Sequence, residues 1–332
     1  MSDNRPKGPP RVLLAPMAGV TDWPFRRQAV AFGARYVVAE MTAGAQLVEA
    51  RPDTMRRIAR APGKAPLVIQ LAGREAEWMA RGAEVAQDNG ADVIDINMGC
   101  PAKQVTNGAS GSALMRNPDH ALSLIEAVVR VARVPVTLKM RLGWDCGCMT
   151  APEIARRAEQ AGVSMIVVHG RTRQQFYKGA ADWAAIRETA EAVGIPVIAN
   201  GDIKSAADAR EALALSGAAG VMVGRAAQGR PWLVSAIERA LEQGGEAIAP
   251  SRAAIRDSLL ALYQDALEFY GPHHGAKIAR KHIASTIAAE LTHLAEDEQR
   301  EARARIYGLS DVHAARDAVT SLFDEPQERM AA

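Results

Sequence analysis

The chain has 332 residues, 48% hydrophobic and 23% charged, with a formal net charge of +2. That is enough for one large domain and a smaller partner around a sizeable core. The near-neutral balance excludes an extended basic tail of the kind that coats nucleic acid, so any RNA partner must be met by local positive charge. Cys100, Cys146 and Cys148 are too few for a disulfide framework and fit a reducing cytosol. Residues 1–11 are polar and proline-rich, unlike a signal peptide, and no apolar run approaches the ~20 residues of a bilayer span. A cytoplasmic protein with no membrane partner is expected.

From residue 12 to 225, β-type runs recur, each followed by a helical pattern. They are VLLAPM (12–17), YVVAEM (36–41), PLVIQLAG (66–73), VIDINMGC (93–100), PVTLKMRLG (135–143), MIVVHGR (165–171), PVIANGD (196–202) and GVMVGR (220–225). Several are nearly all apolar and β-branched, as strands buried on both faces should be. Eight βα units predict a TIM barrel, domain 1–245. A doubly wound open sheet is the alternative, disfavoured by the count and by the lack of GxGxxG after the first run. Polar or special residues stand at the C-terminal ends of the runs: Pro16 and Met17, Glu40, Gln70, Asn97 to Cys100, Lys139 and Arg141, His169 and Arg171, Asn200 to Asp202, Gly224 and Arg225. In a barrel these ends form one rim, where the active site lies.

The fourth run ends in Asn97, Met98, Gly99, Cys100 and Pro101: a glycine for a tight turn, a cysteine just beyond it, and a proline stiffening the exit. A cysteine at such a place is often buried filler. Followed by the Gly- and Ser-rich loop from Asn107 to Ser112, it reads as part of a mobile lid. Cysteine can serve as a general acid, completing reduction of a C=C bond once hydride has reached its other carbon. In the next run Lys139 stands inside an apolar strand, which is costly unless it meets an anion or strong acceptor. The N1–O2 edge of an isoalloxazine is such a partner, with Gln70 able to donate and accept at the opposite pyrimidine edge. A structural ion pair or a Schiff-base lysine are the alternatives for Lys139.

Cys146 and Cys148, spaced by one residue, read as a loop substitution, a redox pair or a metal contact; two thiols alone are not a zinc site, and no metal is expected. The last two runs end in ANGD and VGRAAQG. Loops after these strands commonly hold a phosphate in TIM barrels, with Gly201 and Gly224 permitting close approach and Arg225 adding charge. Each glycine alone could simply turn the chain.

Beyond Gly244, Gly245 and Pro250 the strand pattern stops. Residues 246–332 read as a small all-helical domain, with Leu259, Leu260, Tyr263, Leu267 and Tyr270 at helical spacing and residues 324–332 expected to fray. Over 251–332 ten Lys and Arg face thirteen Asp and Glu, so the domain as a whole is not basic. Yet Lys277, Arg280 and Lys281 share one helical face beside His273, His274 and His282, with no acidic residue between Glu268 and Glu290. That stripe suits phosphate contacts, or is an ordinary solvated face. Arg141, Arg171, Arg173, Lys178 and Arg225 could extend the positive surface around the barrel mouth.

APMAGVTDWPFR, DINMGCP, LKMRLGWD, HGRT with QFYKGAADW, ANGDI and VGRAAQGRPW, in this order, resemble the bacterial tRNA-dihydrouridine synthases, most closely their B-type branch. The likeness covers the barrel and continues more weakly into the tail through KIARKH. It implies FMN as cofactor, NADPH or NADH as reductant, and tRNA as partner, with uridines of the D-loop reduced to 5,6-dihydrouridine by a monomeric enzyme. Position by position it implies that Pro16, Met17 and Ala18 line the flavin and that Gln70, Lys139, Asn200, Gly201, Asp202, Gly224 and Arg225 hold it. Cys100 becomes the proton donor to uracil carbon 5, Asn97 bonds the uracil, and His169 and Arg171 lie beside flavin or substrate. Two other readings stay open: a small-molecule flavin reductase, such as a dihydropyrimidine dehydrogenase, and an RNA-binding protein on a catalytically retired barrel.

Overall fold

The computed structural model describes residues 10–102, 105, 109–292, 294–308 and 312–324. Its strands are β1 (Val12–Leu14), β2 (Val37–Val38), β3 (Thr42–Ala43), β4 (Leu67–Ala72), β5 (Val93–Met98), β6 (Val136–Arg141), β7 (Met165–His169), β8 (Val197–Asn200) and β9 (Gly220–Val223). Every pairing is parallel, and β1 bonds β9 on one side and β2 on the other while β2 bonds β4. The sheet therefore closes as an eight-stranded TIM barrel, with β3 continuing β2 along β4 through Thr42 and Ala43. The second predicted run is thus broken at Glu40. There the chain leaves the ladder so that a buried carboxylate can accept the Gly19 amide, holding the loop that follows β1.

Leu13, Tyr36, Val38, Val68, Val167 and Met222 fill the barrel, while alternate residues such as Leu14, Ile69, Ile94, Leu138 and Val223 face the surrounding helices. Both sets are apolar, which is why the runs look continuous rather than alternating. Towards the C-terminal ends the inward set turns polar: Gln70 follows Val68, Asp95 and Asn97 follow Val93, Lys139 follows Thr137, His169 follows Val167 and Asn200 follows Ile198. The period of two projects all of them inward.

After the barrel, helix Leu233–Gln243 covers the outside of β1, and helices Arg252–Tyr270, Pro272–Glu290, Glu296–Gly308 and Val312–Asp324 gather round a second core that includes Trp232, Leu259, Tyr263, Ile283, Ile287 and Phe323. Residues 325–332, expected to fray, lie outside the described residues. No helix among the described residues is long and apolar enough to cross a membrane.

The barrel and the terminal helices are joined by buried polar contacts. Asp22 caps helix Trp23–Ala31 through the Phe25 amide, and its other oxygen meets His282 Nε2 at 3.2 Å. The His282 ring stacks on Phe25, with centroids 5.5 Å apart. Gln28 accepts from Ser258 and donates to Asp265, which also pairs with Arg27. At Gly229 (φ +76°) the backbone runs so close to Ser285 that a Cβ would lie 2.4 Å from its carbonyl carbon, so only glycine fits there. Asp22→Ala removes a cap worth ~1 kcal/mol and leaves a buried histidine without its acceptor, ~1–3 kcal/mol more. A loss of roughly 2–4 kcal/mol in urea unfolding is expected from these two terms; an unchanged midpoint would show that the contact does not couple the two cores.

Candidate active site

A cleft of about 490 Å³ opens at the C-terminal rim between the ends of β1, β6, β7, β8 and β9, within the ~300–1,000 Å³ usual for a cofactor or ligand site. Pro16, Met17, Lys139, His169, Asn200, Gly201, Asp202, Gly224 and Arg225 line it together with Tyr177, Lys204 and Arg230. Ala18 is exposed and Gln70 is buried, and neither is part of the lining.

Lys139 is buried and donates to Asn200 Oδ1 at 3.0 Å. Asn200 Nδ2 is spent on Met222 O at 2.8 Å, which fixes the amide with its oxygen towards the ammonium. Burial, then the charge of Arg141, lowers the lysine pKa to about 8, while Asp95 and Cys100 act in the opposite direction. The cation therefore contacts a neutral oxygen and lines an open cleft. A ligand with an electron-rich edge fits that arrangement, and so does a flavin.

His169 is held well below the usual imidazole range by burial and by Lys139, Arg141, Arg171 and Arg225. Its Nε2 lies 3.3 Å from Arg171 Nη1. A guanidinium only donates, so Nε2 accepts and the ring proton sits on Nδ1.

Two arginines do not extend the positive surface expected around the barrel mouth. Arg171 is buried and ion-paired with Asp202 at 2.5 Å, and it also donates to Lys178 O and Gly179 O. Arg141 is buried too, donating to Gly99 O, Thr172 O and Phe176 O. Neither has a surface to offer a phosphate. They tie the loop after β7 to the cysteine loop and to Asp202 instead. Asp202 itself adopts φ +54°; burial alone would raise its pKa, but Arg171, the Ala181 amide and Arg225 hold it below the usual carboxylate range.

The loop so anchored carries Tyr177, missed as an individual residue in the sequence, where it stood only within a motif. Its ring lies 5.6 Å from Arg141 Cζ and 4.7 Å from Arg225 Cζ at the mouth of the cleft. Its one visible signal was an adjacent aromatic pair in a polar loop, Phe176 and Tyr177, both more than 40% exposed.

Cys100 is half-buried. Its amide donates to Asn97 Oδ1 at 3.0 Å, and its carbonyl accepts from the Ser112 amide and hydroxyl at 3.0 and 2.9 Å. Among the described residues of this loop the left-handed glycine is Gly111 (φ +58°), where a Cβ would come within 2.8 Å of Cys100 O; Gly99, expected to make the turn, is not left-handed. Asn107 and Gly108 of the expected lid lie outside the described residues. Asn97 is buried and donates to Gln70 Oε1 at 2.8 Å. Arg141 Nε donates to Gly99 O at 2.7 Å, which holds the residue before Cys100 against the end of β6, the strand that carries Lys139. Cys146 is exposed and Cys148 half-buried, the latter 3.8 Å from Met115 O, and all three cysteines are free thiols.

On helix Pro272–Glu290, Lys277 and Lys281 are exposed and Arg280 lies over the Tyr307 ring at 5.8 Å. His282 leaves the stripe, buried against Asp22 and Phe25. Nearer the cysteine loop, Arg116 and Arg173 each stand over the Trp144 ring at 4.9 Å. Arg116 carried no signal in the sequence, since nothing local distinguishes it from any surface arginine.

A closed parallel barrel with a buried lysine, a neutral histidine and a presented cysteine at its C-terminal rim defines a TIM-barrel enzyme. Residues 13–321 match the family model described as dihydrouridine synthase (Dus). A probable tRNA-dihydrouridine synthase of Rhodobacter capsulatus is 52% identical over 320 residues, covering 95% of each chain. One of Rhizobium leguminosarum bv. phaseoli is 50% identical over 313 residues, 92% of this chain and 96% of the relative. The tRNA-dihydrouridine synthase B of Xanthomonas campestris pv. campestris is 46% identical over 274 residues, 82% of each chain. The chain belongs to the dihydrouridine synthase family of oxidoreductases.

Proposed function

We propose that this protein reduces uridines of the tRNA D-loop to 5,6-dihydrouridine, with FMN as bound cofactor, NADPH or NADH as reductant and Cys100 as proton donor. The observation that carries this reading is Lys139: a buried ammonium bonded only to a neutral amide oxygen among its described hydrogen bonds, lining a cleft at the end of the strand whose Arg141 holds the Cys100 loop.

Lys139 would meet the N1–O2 edge of the ring system, and Gln70 would use its remaining N–H and lone pair at the pyrimidine edge. Gly201, Gly224 and Arg225 would hold the phosphate, Asp202 would keep Arg225 and Arg171 in place around it, and Pro16 and Met17 would line the ring. FMN held by these residues would be the source of the hydride that uracil carbon 6 receives. Cys100 then gives its proton to carbon 5, and the thiolate left behind faces the positive charges of Lys139 and Arg141. Asn97 would bond the uracil. Neutral His169 can donate from Nδ1 without adding a cation. Tyr177, clamped by Arg141 and Arg225, helps keep water from the mouth. A uracil reaches such a site only out of its stack, which an RNA loop permits at low cost.

Dihydrouridine mapped in tRNA from cells with and without this gene tests the proposal; an unchanged map would overturn it. Purified protein separates it from a small-molecule reductase, because folded tRNA but not free uracil should drive NADPH oxidation.

The exposed cations on helix Pro272–Glu290 support RNA docking there, alongside Arg116, Arg173 and Lys178 on the rim. Changing Lys277, Arg280 and Lys281 together to Ala should weaken tRNA binding while leaving flavin content and tRNA-free NADPH oxidation intact. Three phosphate contacts contribute a slope of roughly −2 to −3 in log K against log[salt], taking the duplex coefficient as guide. The triple variant should show a shallower slope by that amount. Unchanged affinity and slope would put the docking surface on the rim arginines.

A further inference from the structure

We propose that Asp95 is a positioning residue: its carboxylate ends a hydrogen-bond chain through Gln70 and Asn97 to the Cys100 loop, and fixes the direction in which both amides point. Asp95 occupies an inward position of β5, in register with Gln70 on β4 and Thr137 on β6. It is 3% exposed. Thr137 Oγ1 donates to its Oδ1 at 2.6 Å and Gln70 Nε2 to its Oδ2 at 2.6 Å. Gln70 Oε1 thereby faces Asn97 Nδ2 at 2.8 Å, and Asn97 Oδ1 is left for the amides of Gly99 at 3.2 Å and Cys100 at 3.0 Å.

The direction of this chain is enforced from both ends. A carboxylate only accepts and a backbone N–H only donates, so the two ends demand the same sense from the amides between them. Reversing Gln70 would set oxygen against carboxylate and nitrogen against nitrogen. Reversing Asn97 would set an NH₂ group against two N–H donors. An apolar residue at 95 would pack the barrel as Val68 and Val167 do. It would, however, leave Gln70 Nε2 buried without its acceptor and free the whole chain to flip or loosen.

Burial pushes the Asp95 carboxyl up, while Thr137, Gln70 and Lys139 act against that shift. Thr137 and Gln70 donate to one oxygen each, so both oxygens of the buried carboxyl have a donor. The consequence falls on two groups of the proposed reaction at once. The Gln70 amide, buried beside the proposed flavin site, is set in one sense, and the Cys100 backbone is held by Asn97 on one side and by Ser112 on the other. The catalytic meaning rests on reading Cys100 as the proton donor. The chain itself does not, and its test is read first without flavin or RNA, so the two ideas fail separately.

In a Cys146→Ser, Cys148→Ser background, hydrogen exchange at the Gly99 and Cys100 amides and alkylation of Cys100 are compared among Asp95→Leu, Asp95→Asn and Gln70→Met. Asp95→Leu and Gln70→Met should each speed exchange of the two amides about tenfold, the scale of one lost hydrogen bond, and change the Cys100 alkylation rate. Asp95→Asn keeps an oxygen towards Gln70 while its NH₂ meets the Thr137 hydroxyl, which can accept. It should stay within about twofold of the parent in exchange, and retain dihydrouridine formation where Asp95→Leu loses it. A role confined to burying charge beside Lys139 predicts instead that Asp95→Asn is as damaged as Asp95→Leu, which would overturn the proposal. If Asp95→Leu does not fold, Gln70→Met decides: unchanged exchange at Gly99 and Cys100 in that variant overturns it equally.

Discussion

Cys100→Ala is expected to retain FMN and to accept hydride from NADPH near the parental rate, yet to form dihydrouridine ~10²–10⁴-fold more slowly, the usual contribution of a general acid. The separation follows from placement. Cys100 is not part of the lining of the cleft that would hold the ring and phosphate, whereas Lys139, Asn200 and Arg225 are. The alanine removes one sulfur and leaves the backbone bonds to Asn97 and Ser112 in place, since these are made by the Cys100 amide and carbonyl. Rapid-mixing absorbance separates the two half-reactions. Parental dihydrouridine formation by the variant would assign the proton to another group.

Lys139→Met is expected to weaken FMN retention and to slow hydride acceptance by ~10²–10³-fold, the scale of removing one pre-placed donor from a site of developing negative charge. Methionine keeps the volume and removes the ammonium. The lowered pKa of about 8 gives the effect a pH signature. The ammonium is present below that value and loses its proton as the pH rises through it, so FMN affinity in the parent should fall across this range. Binding of an electron-rich edge favours the charged form and moves the midpoint upward in the complex. The methionine variant should show no such inflection. FMN affinity measured from pH 6.5 to 9.5 tests this, and equal pH profiles would remove Lys139 from the flavin's partners.

The barrel was legible because strands buried on both faces leave long apolar runs, and because loss of that apolarity at one end of each run marks the rim. Lys139 stood out for the same reason: a cation inside PVTLKMRLG has no packing explanation. Legibility failed where one residue type has two fates. Arg141 and Arg171 look in sequence like Arg225, but three carbonyls claim the first and Asp202 with two carbonyls claims the second. His282 looked like part of a basic stripe because its partner, Asp22, is 260 positions away. Asp95 sits inside DINMGCP yet carried no signal of its own, since its role depends on neighbours across two strand pairings. Helical spacing placed Lys277, Arg280 and Lys281 on one face without long-range information.

The joint between Asp22, Phe25 and His282 bears on how a target would be measured out along an RNA. Helix Pro272–Glu290 carries the exposed cations on one side and His282 on the other, so the face that would grip RNA is bolted through its own body to the helix following the Pro16–Thr21 loop. If RNA docks there as proposed, grip and cleft would stand at a set separation, and a nucleotide would be chosen by its reach from the grip, as a jig with a fixed stop sets the cut. Retargeting such an enzyme by grafting another relative's terminal helices would succeed only if the graft brought residues that seat against Asp22, Phe25, Gln28 and Gly229. A graft chosen for its surface charges alone would lose the stop and with it the choice of nucleotide.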